Sequence, residues 1–356
     1  MKKILTTFIL VVSVAINACT PNTSTTNTST VPPSDSNAEK HNQSEYFSLT
    51  VTNKQNENHF YTYDIDAKTI KEMAKTPDTA QYPLGAVDLN TKSLYYSERD
   101  STGSDQLVKL DLATKKKEKL TTNLFAINYI IPVGNQIIIA AAEKTKSAVQ
   151  LASYNLQTKK LSFWVPPNDD DTSVKHLMYN PYTKKLYATL YSNQEDETLT
   201  RKAAKEQAPD IDAATHRVVE YDMNQGEQKK PRELYKAKEV IRLFSVSTNT
   251  EVALIKSGSN VFKEKQMYLF YFDSGKKEPL VIPELSTIEE AYFAPDKQGL
   301  FIKGNLKTTL KNNNITEDGP PNGLFYFDLK THKISEIYSK PDSYINNFIL
   351  LENSSK

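Results

Sequence analysis

Glycine is scarce in this chain, with ten residues in 356, and cysteine and tryptophan occur once each. A single cysteine, Cys19, excludes an internal disulfide framework and a cysteine-rich metal site. Five scattered histidines, His41, His59, His176, His216 and His332, supply no H-E-x-x-H pair and no pair at metal-ligand spacing. There is no G-x-S-x-G elbow and no phosphate-binding P-loop. Charge of one sign is also missing: 44 Lys and Arg face 43 Asp and Glu, a net +1, so the total implies no nucleic-acid partner. After the first 20 residues no apolar run is long enough to cross a bilayer as a helix.

The N-terminus is built differently from the rest. Met1, Lys2 and Lys3 form a positive head, followed by an apolar run from Ile4 to Ile16. This fits the charged head and short core of a secretory signal, residues 1–18. The run ends in Ile16-Asn17-Ala18-Cys19, which resembles a bacterial lipobox. That resemblance implies cleavage before Cys19 and acylation, palmitate included, of its thiol and new amino group. The expected address is the extracytoplasmic face of a cell membrane, where more than one acyl chain gives stable anchoring. Residues 19–45 then form a Thr-, Asn-, Ser- and Pro-rich tether too polar to bury a core. A flexible chain of that length spans about 25–30 Å.

Residues 46–356 repeat a pattern. An aromatic or apolar residue is followed by Asp or Asn and a Thr/Lys turn, at Tyr63-Asp64-Ile65, Leu110-Asp111-Leu112, Tyr154-Asn155-Leu156, Tyr221-Asp222-Met223, Phe272-Asp273-Ser274 and Phe327-Asp328-Leu329. The repeats are spaced by about 45 to 67 residues, which suits propeller blades. The flanking runs alternate apolar with polar residues, as half-buried strands do. The Asp or Asn is expected to bond backbone N–H groups of its own turn. A second hairpin precedes each of these, with turns such as Asn180-Pro181-Tyr182-Thr183 and Ala294-Pro295-Asp296-Lys297. The expected fold is therefore all-β: a six-bladed β-propeller of four-stranded antiparallel blades. The folded part opens with only three strands, so Ile345–Leu351 is expected to complete the first blade and close the ring.

The repeated hairpins and the Asn-Pro and Ala-Pro-Asp turns resemble those of TolB-like six-bladed propellers, and more narrowly the YqgU-like lipoprotein propellers. The resemblance implies binding of a protein or cell-envelope component rather than chemistry, with no cofactor.

Aligning the inner strands on their first turns places Gly85, Asn128, His176, Arg242, Glu290 and Asn346 in one layer. A ring of polar residues in otherwise apolar strands marks one mouth of the channel as a ligand-binding candidate. The long connections 193–216 and 305–322 are expected on that same face, and Glu195–Ala208 is expected to form a short charged helix. Asn168-Asp169-Asp170-Asp171 lacks the glycine and glutamate of a calcium loop and reads as an acidic turn. The opposite face is expected to be lysine-rich, with Lys68, Lys115–Lys117, Lys159 and Lys160 in its turns, and to lean toward an anionic membrane. The expected protein is a monomeric, membrane-anchored binding or scaffold protein. Two alternatives follow: an enzyme acting on a sugar or lactone with His176 and Glu290 as acid–base pair, and a solute-binding accessory of a transporter.

Overall fold

The computed structural model describes residues 44–225, 231–308 and 321–353. The signal segment, Cys19, almost all of the tether, Lys229, Lys230 and most of the 305–322 connection lie outside the described residues.

Six four-stranded antiparallel sheets follow one another around a ring. Five are consecutive meanders. The sixth is composite: Ser343–Asn353 is the innermost strand of blade 1 and pairs with Ser44–Asn53, which continues to Glu57–Asp64 and Thr69–Pro77. The expected closure by the C-terminal strand is present. The other inner strands are Gly85–Asp88, Leu124–Val133, Thr172–Asn180, Val240–Val246 and Leu285–Phe293. Together with the strands beside them, these carry most of the core. Ile127, Leu177, Ile241 and Phe348 on inner strands, and Leu94, Ile138 and Leu300 on the strands beside them, are fully or almost fully buried.

The turn chemistry expected from the repeats is realised. Asp111 Oδ1 accepts the N–H groups of Ala113 and Thr114 at 3.0 and 2.7 Å, and Asp328 Oδ1 accepts those of Lys330 and Thr331 at 2.9 and 2.7 Å. Asp64 and Asn155 do the same in their blades. These N–H groups hold the Asp111 and Asp328 carboxyls below the usual carboxylate range. Four residues after the Asx comes a left-handed backbone position, filled by Lys68, Lys115, Lys159 and His332 at φ of 52–59°. Glycine is the usual occupant of that region, so scarce glycine here means side-chain-bearing turns. Blade 5 departs from the pattern. Its turn starts at Tyr271, whose carbonyl accepts the Gly275 N–H, so Asp273 lies inside the turn rather than at its head.

The seam where the ring closes is aromatic. Phe47 of blade 1 lies 4.8 Å from Phe301 and 5.7 Å from Tyr292 of blade 6, both edge-on, and 5.2 Å from Phe348 in its own blade. Such pairs add about 0.5–1.5 kcal/mol each beyond burial. Phe47 is completely buried. Phe47→Ala is expected to cost about 3–5 kcal/mol, read as a lowered midpoint in denaturant unfolding. Removal of Ile345 to Lys356 deletes Ile345, Phe348, Ile349, Leu350 and Leu351, all buried. At about 1.5–3 kcal/mol each, that loss is comparable to the whole stability of a domain. The truncated chain is expected to lose its cooperative thermal transition rather than fray at one end.

Candidate functional site: the channel and its rim

Five of the six inner strands carry a β-bulge. The extra residue is Asn346 in blade 1, Asn128 in blade 3, Lys175 in blade 4, Arg242 in blade 5 and Glu289 in blade 6. A bulge bends the strand and re-aims its side chains. Each of these bulge residues is polar, and of the residues that follow them Asn347, Tyr129, His176 and Glu290 line one space in the channel, while Leu243 packs in the apolar core. Alignment on the turns therefore holds for Asn128, Arg242 and Asn346 but slips by one in blades 4 and 6. There Lys175 and Glu289 are the counterparts, and His176 and Glu290 sit one step further in. Gly85 opens the blade 2 strand without a bulge. A Cβ there would meet the Phe60 ring at 2.4 Å, and its carbonyl accepts Thr50 Oγ1 at 3.0 Å, so it is a packing residue.

His176 and Glu290 line, with Tyr129, Tyr292 and Asn347, a space of about 10 Å³. That is about the size of one water, far too small for a sugar or lactone. His176 is 7% exposed and its ring stands edge-on to Tyr129 at 6.0 Å. Burial pushes its pKa down to about 4, with Lys303 adding to the effect. Glu290 engages Lys303 at 3.4 Å. Burial raises its carboxyl pKa and Lys303 counteracts the rise. Lys303 also meets Glu289 at 3.3 Å and donates to the Asn346 carbonyl at 2.8 Å. Glu289 further accepts from Tyr344 at 2.9 Å and Asn322 at 3.3 Å. On this side of the channel the charges are mutually satisfied.

The side formed by blades 4 and 5 is different. Lys175, Arg242, Lys256 and Lys265 have no carboxylate within 4.0 Å among the described residues. Arg242 is exposed. Lys256 donates to the Ile288 carbonyl at 2.8 Å, and Lys265 donates to the Val261 and Lys263 carbonyls. Burial lowers the pKa of all three lysines and the Arg242 charge adds to it, while Asp196 acts on Lys175, and Glu289 and Glu264 on Lys256, in the opposite sense. Lys256 and Lys303 are equivalent: each follows an apolar triplet in the second strand of its blade and reaches a backbone carbonyl of the next inner strand. A lysine directly after an apolar triplet in the second strand of a blade is the sequence signal that marks these positions. The rim is thus acidic and neutralised on one side and basic on the other.

The 193–216 excursion forms a helix, Asn193–Glu206, starting two residues before the expected one. Ser192 caps it, accepting the Glu195 N–H at 3.0 Å. Asp171 accepts from Ser192 Oγ at 2.9 Å and from the Gln194 N–H at 2.7 Å. Asp169 and Asp170 likewise bond backbone N–H groups, of Asp171, Thr172, Ser147 and Ala148. The acidic run is therefore a scaffold for loops, and no metal cluster occurs among the described residues. Beyond the helix the chain lies on the blade 5 loop, with Ala213 N–H to Ser259 O at 3.0 Å and Lys263 to Asp210 at 2.8 Å.

Two buried histidines set an acid limit. His216 is also pushed down to about 4, chiefly by burial, and its Nδ1 accepts the Ile241 N–H at 2.9 Å. A histidine whose folded pKa lies below its unfolded value stabilises the fold above pH 6.5 and loses that contribution as pH falls toward 4. At about 1.4 kcal/mol per proton and pH unit, the pair contributes several kcal/mol. Unfolding free energy is expected to fall steeply between pH 6.5 and 4, and His176→Asn is expected to flatten the slope in that window. Glu290 works in the opposite sense over the pH range just above 4.5, which a Glu290→Gln control removes.

No protein-family model and no curated protein sequence matches the chain. Solved structures do. TolB from Acinetobacter baumannii superposes with a TM-score of 0.53 at 13% identity, covering 86% of this chain and 66% of that one. A putative TolB from Agrobacterium tumefaciens gives 0.51 at 11% identity, covering 86% and 99%. A chain of a nidogen/laminin complex gives 0.52 at 9% identity, covering 86% and 98%. At such identities the likeness is one of fold, and the chain has the six-bladed β-propeller fold shared with TolB.

Proposed function

We propose that this protein is a non-catalytic binding scaffold, tethered through an acylated Cys19 to the outer face of a membrane, whose loop face engages a protein or other cell-envelope component. The observation that carries this reading is the filled channel. The space beside His176 and Glu290 is about 10 Å³, so a ligand of useful size meets the propeller on its surface. On the loop face stand the Asn193–Glu206 helix and an unneutralised cationic rim. The opposite face offers short Asx turns whose lysines are in part paired, as Lys117 with Glu98 at 2.6 Å and Lys159 with Glu118 at 2.7 Å. Lys68, Lys92 and Lys115 remain available there for a weak approach to anionic lipid.

Cys19→Ser is expected to move the protein from the membrane fraction to the soluble fraction or to stall its processing. Unchanged membrane retention and cleavage would remove the anchor from this proposal. Crosslinking capture from membranes with the lipidated wild type tests the scaffold itself. A specific partner lost on deletion of 193–206 is expected. Turnover of a sugar or lactone that depends on His176 and Glu290 would replace the scaffold by an enzyme.

A further inference from the structure

Between blades 5 and 6 the ring opens into a groove of about 860 Å³. Its origin is visible in the strands. The third strands of blades 2 and 3, Asp105–Asp111 and Gln150–Asn155, are buried along nearly their whole length. The third strand of blade 5, Gln266–Tyr271, has only Tyr268 buried. The floor is apolar, with Met267, Leu280, Ile282, Leu285 and Ile288, and Val281 stands 72% exposed at its edge. Five lysines line the groove against two glutamates, so its field is positive. Two of those lysines, Lys256 and Lys265, belong to the unneutralised rim. Arg242 bulges from the strand paired with that of Lys256, which places it beside the groove.

We propose that this groove and the adjoining rim at Arg242 and Lys175 form the docking site for an extended acidic peptide segment of a partner protein. The proposal rests on the scaffold reading and names the partner chemistry. The volume suits a short stretch of chain, since ligand sites occupy about 300–1,000 Å³. The floor takes apolar side chains, and the lysines take carboxylates from the same segment. A bare phosphate polymer would leave the floor against polar groups. Three of the four rim cations are partly desolvated and hydrogen-bonded to neutral carbonyls or to none, with Asp196, Glu264 and Glu289 acting on them only from beyond ion-pair distance, so much of their charge is left for a ligand. Carboxylates arriving there relieve the repulsion among them. Lys263, paired with Asp210, and Lys277, hydrogen-bonded to Tyr235 and 4.0 Å from Glu239, frame the groove without carrying it.

The test uses the full-length protein in detergent and a labelled peptide of Asp, Leu and Ser residues, followed by fluorescence anisotropy. Saturable binding that weakens with salt is expected. Arg242→Glu and Lys256→Gln should each weaken it about tenfold, a loss of about 1.4 kcal/mol. Val281→Asp should weaken it similarly while leaving the melting temperature unchanged. Polyglutamate, which has no apolar side chains, should bind less well than the mixed peptide. Absence of binding, or equal binding by wild type and Arg242→Glu, overturns the proposal. Equal binding of polyglutamate or polyphosphate, insensitive to Val281→Asp, overturns it in favour of a general polyanion surface. The same variants in the membrane crosslinking assay separate this idea from its premise. A partner captured equally by wild type and Arg242→Glu refutes the groove and leaves the scaffold, whereas no partner for the wild type refutes both.

Discussion

Pairing of Ser343–Asn353 with Ser44–Asn53 makes one blade out of the two ends of the described chain, and every other interface depends on it. A propeller blade is a small sheet that cannot bury both faces alone, so each relies on its neighbours. An open ring would leave the faces of blades 1 and 6 in water together with an unpaired strand edge, a template for aggregation. The closure is correspondingly reinforced. Phe47, Tyr292, Phe301 and Phe348 pack edge-on across it, and Asn322 holds the start of the last strand through the Ile345 N–H and carbonyl at 2.7 and 3.0 Å. Register is fixed by side-chain alternation, because a slip of one residue would turn the aromatic face outward.

Closure also determines what the channel can do. Six inner strands brought close leave room for side chains and little else. The bulges at Asn128, Lys175, Arg242, Glu289 and Asn346 create polar positions at the mouth, where the strands diverge. The two sides are then treated differently. Lys303 is held between Glu289 and Glu290, an arrangement in which a buried cation is compensated by hydrogen-bonded carboxylates. Lys256, its counterpart one blade earlier, hydrogen-bonds only a carbonyl and has no carboxylate within 4.0 Å among the described residues, with Glu289 and Glu264 acting on it from further off. That single asymmetry turns a common architectural lysine into part of a basic surface.

The alternation of apolar and polar residues and the Asx-initiated turns were legible because both are local. Asp64, Asp111, Asn155 and Asp328 bond N–H groups two and three residues on, so their role is contained in a few consecutive residues. The same holds for the Asn193–Glu206 helix, a local charged stretch that the structure shows capped by Ser192. Asp273 misled for the same reason: its neighbours look like a turn head, but the pairing of Val252 with Tyr271 starts the turn two residues sooner. The candidate site was less legible. Alignment on the turns puts His176 and Glu290 at the mouth, yet a bulge one residue earlier moves them inside, and a bulge is a property of two paired strands rather than of one.

The sequence by itself therefore determined the blade count, the turns and the need for the last strand to return to the first, because strand periodicity and turn geometry are written in short stretches and an unpaired strand has to go somewhere. Tertiary structure alone decided which polar residues share a mouth, that Lys175, Arg242, Lys256 and Lys265 stand together without carboxylates, and that blades 5 and 6 part into a groove. Those outcomes depend on register and on packing between blades far apart in the chain, where one residue of slip exchanges a solvent-facing group for a buried one.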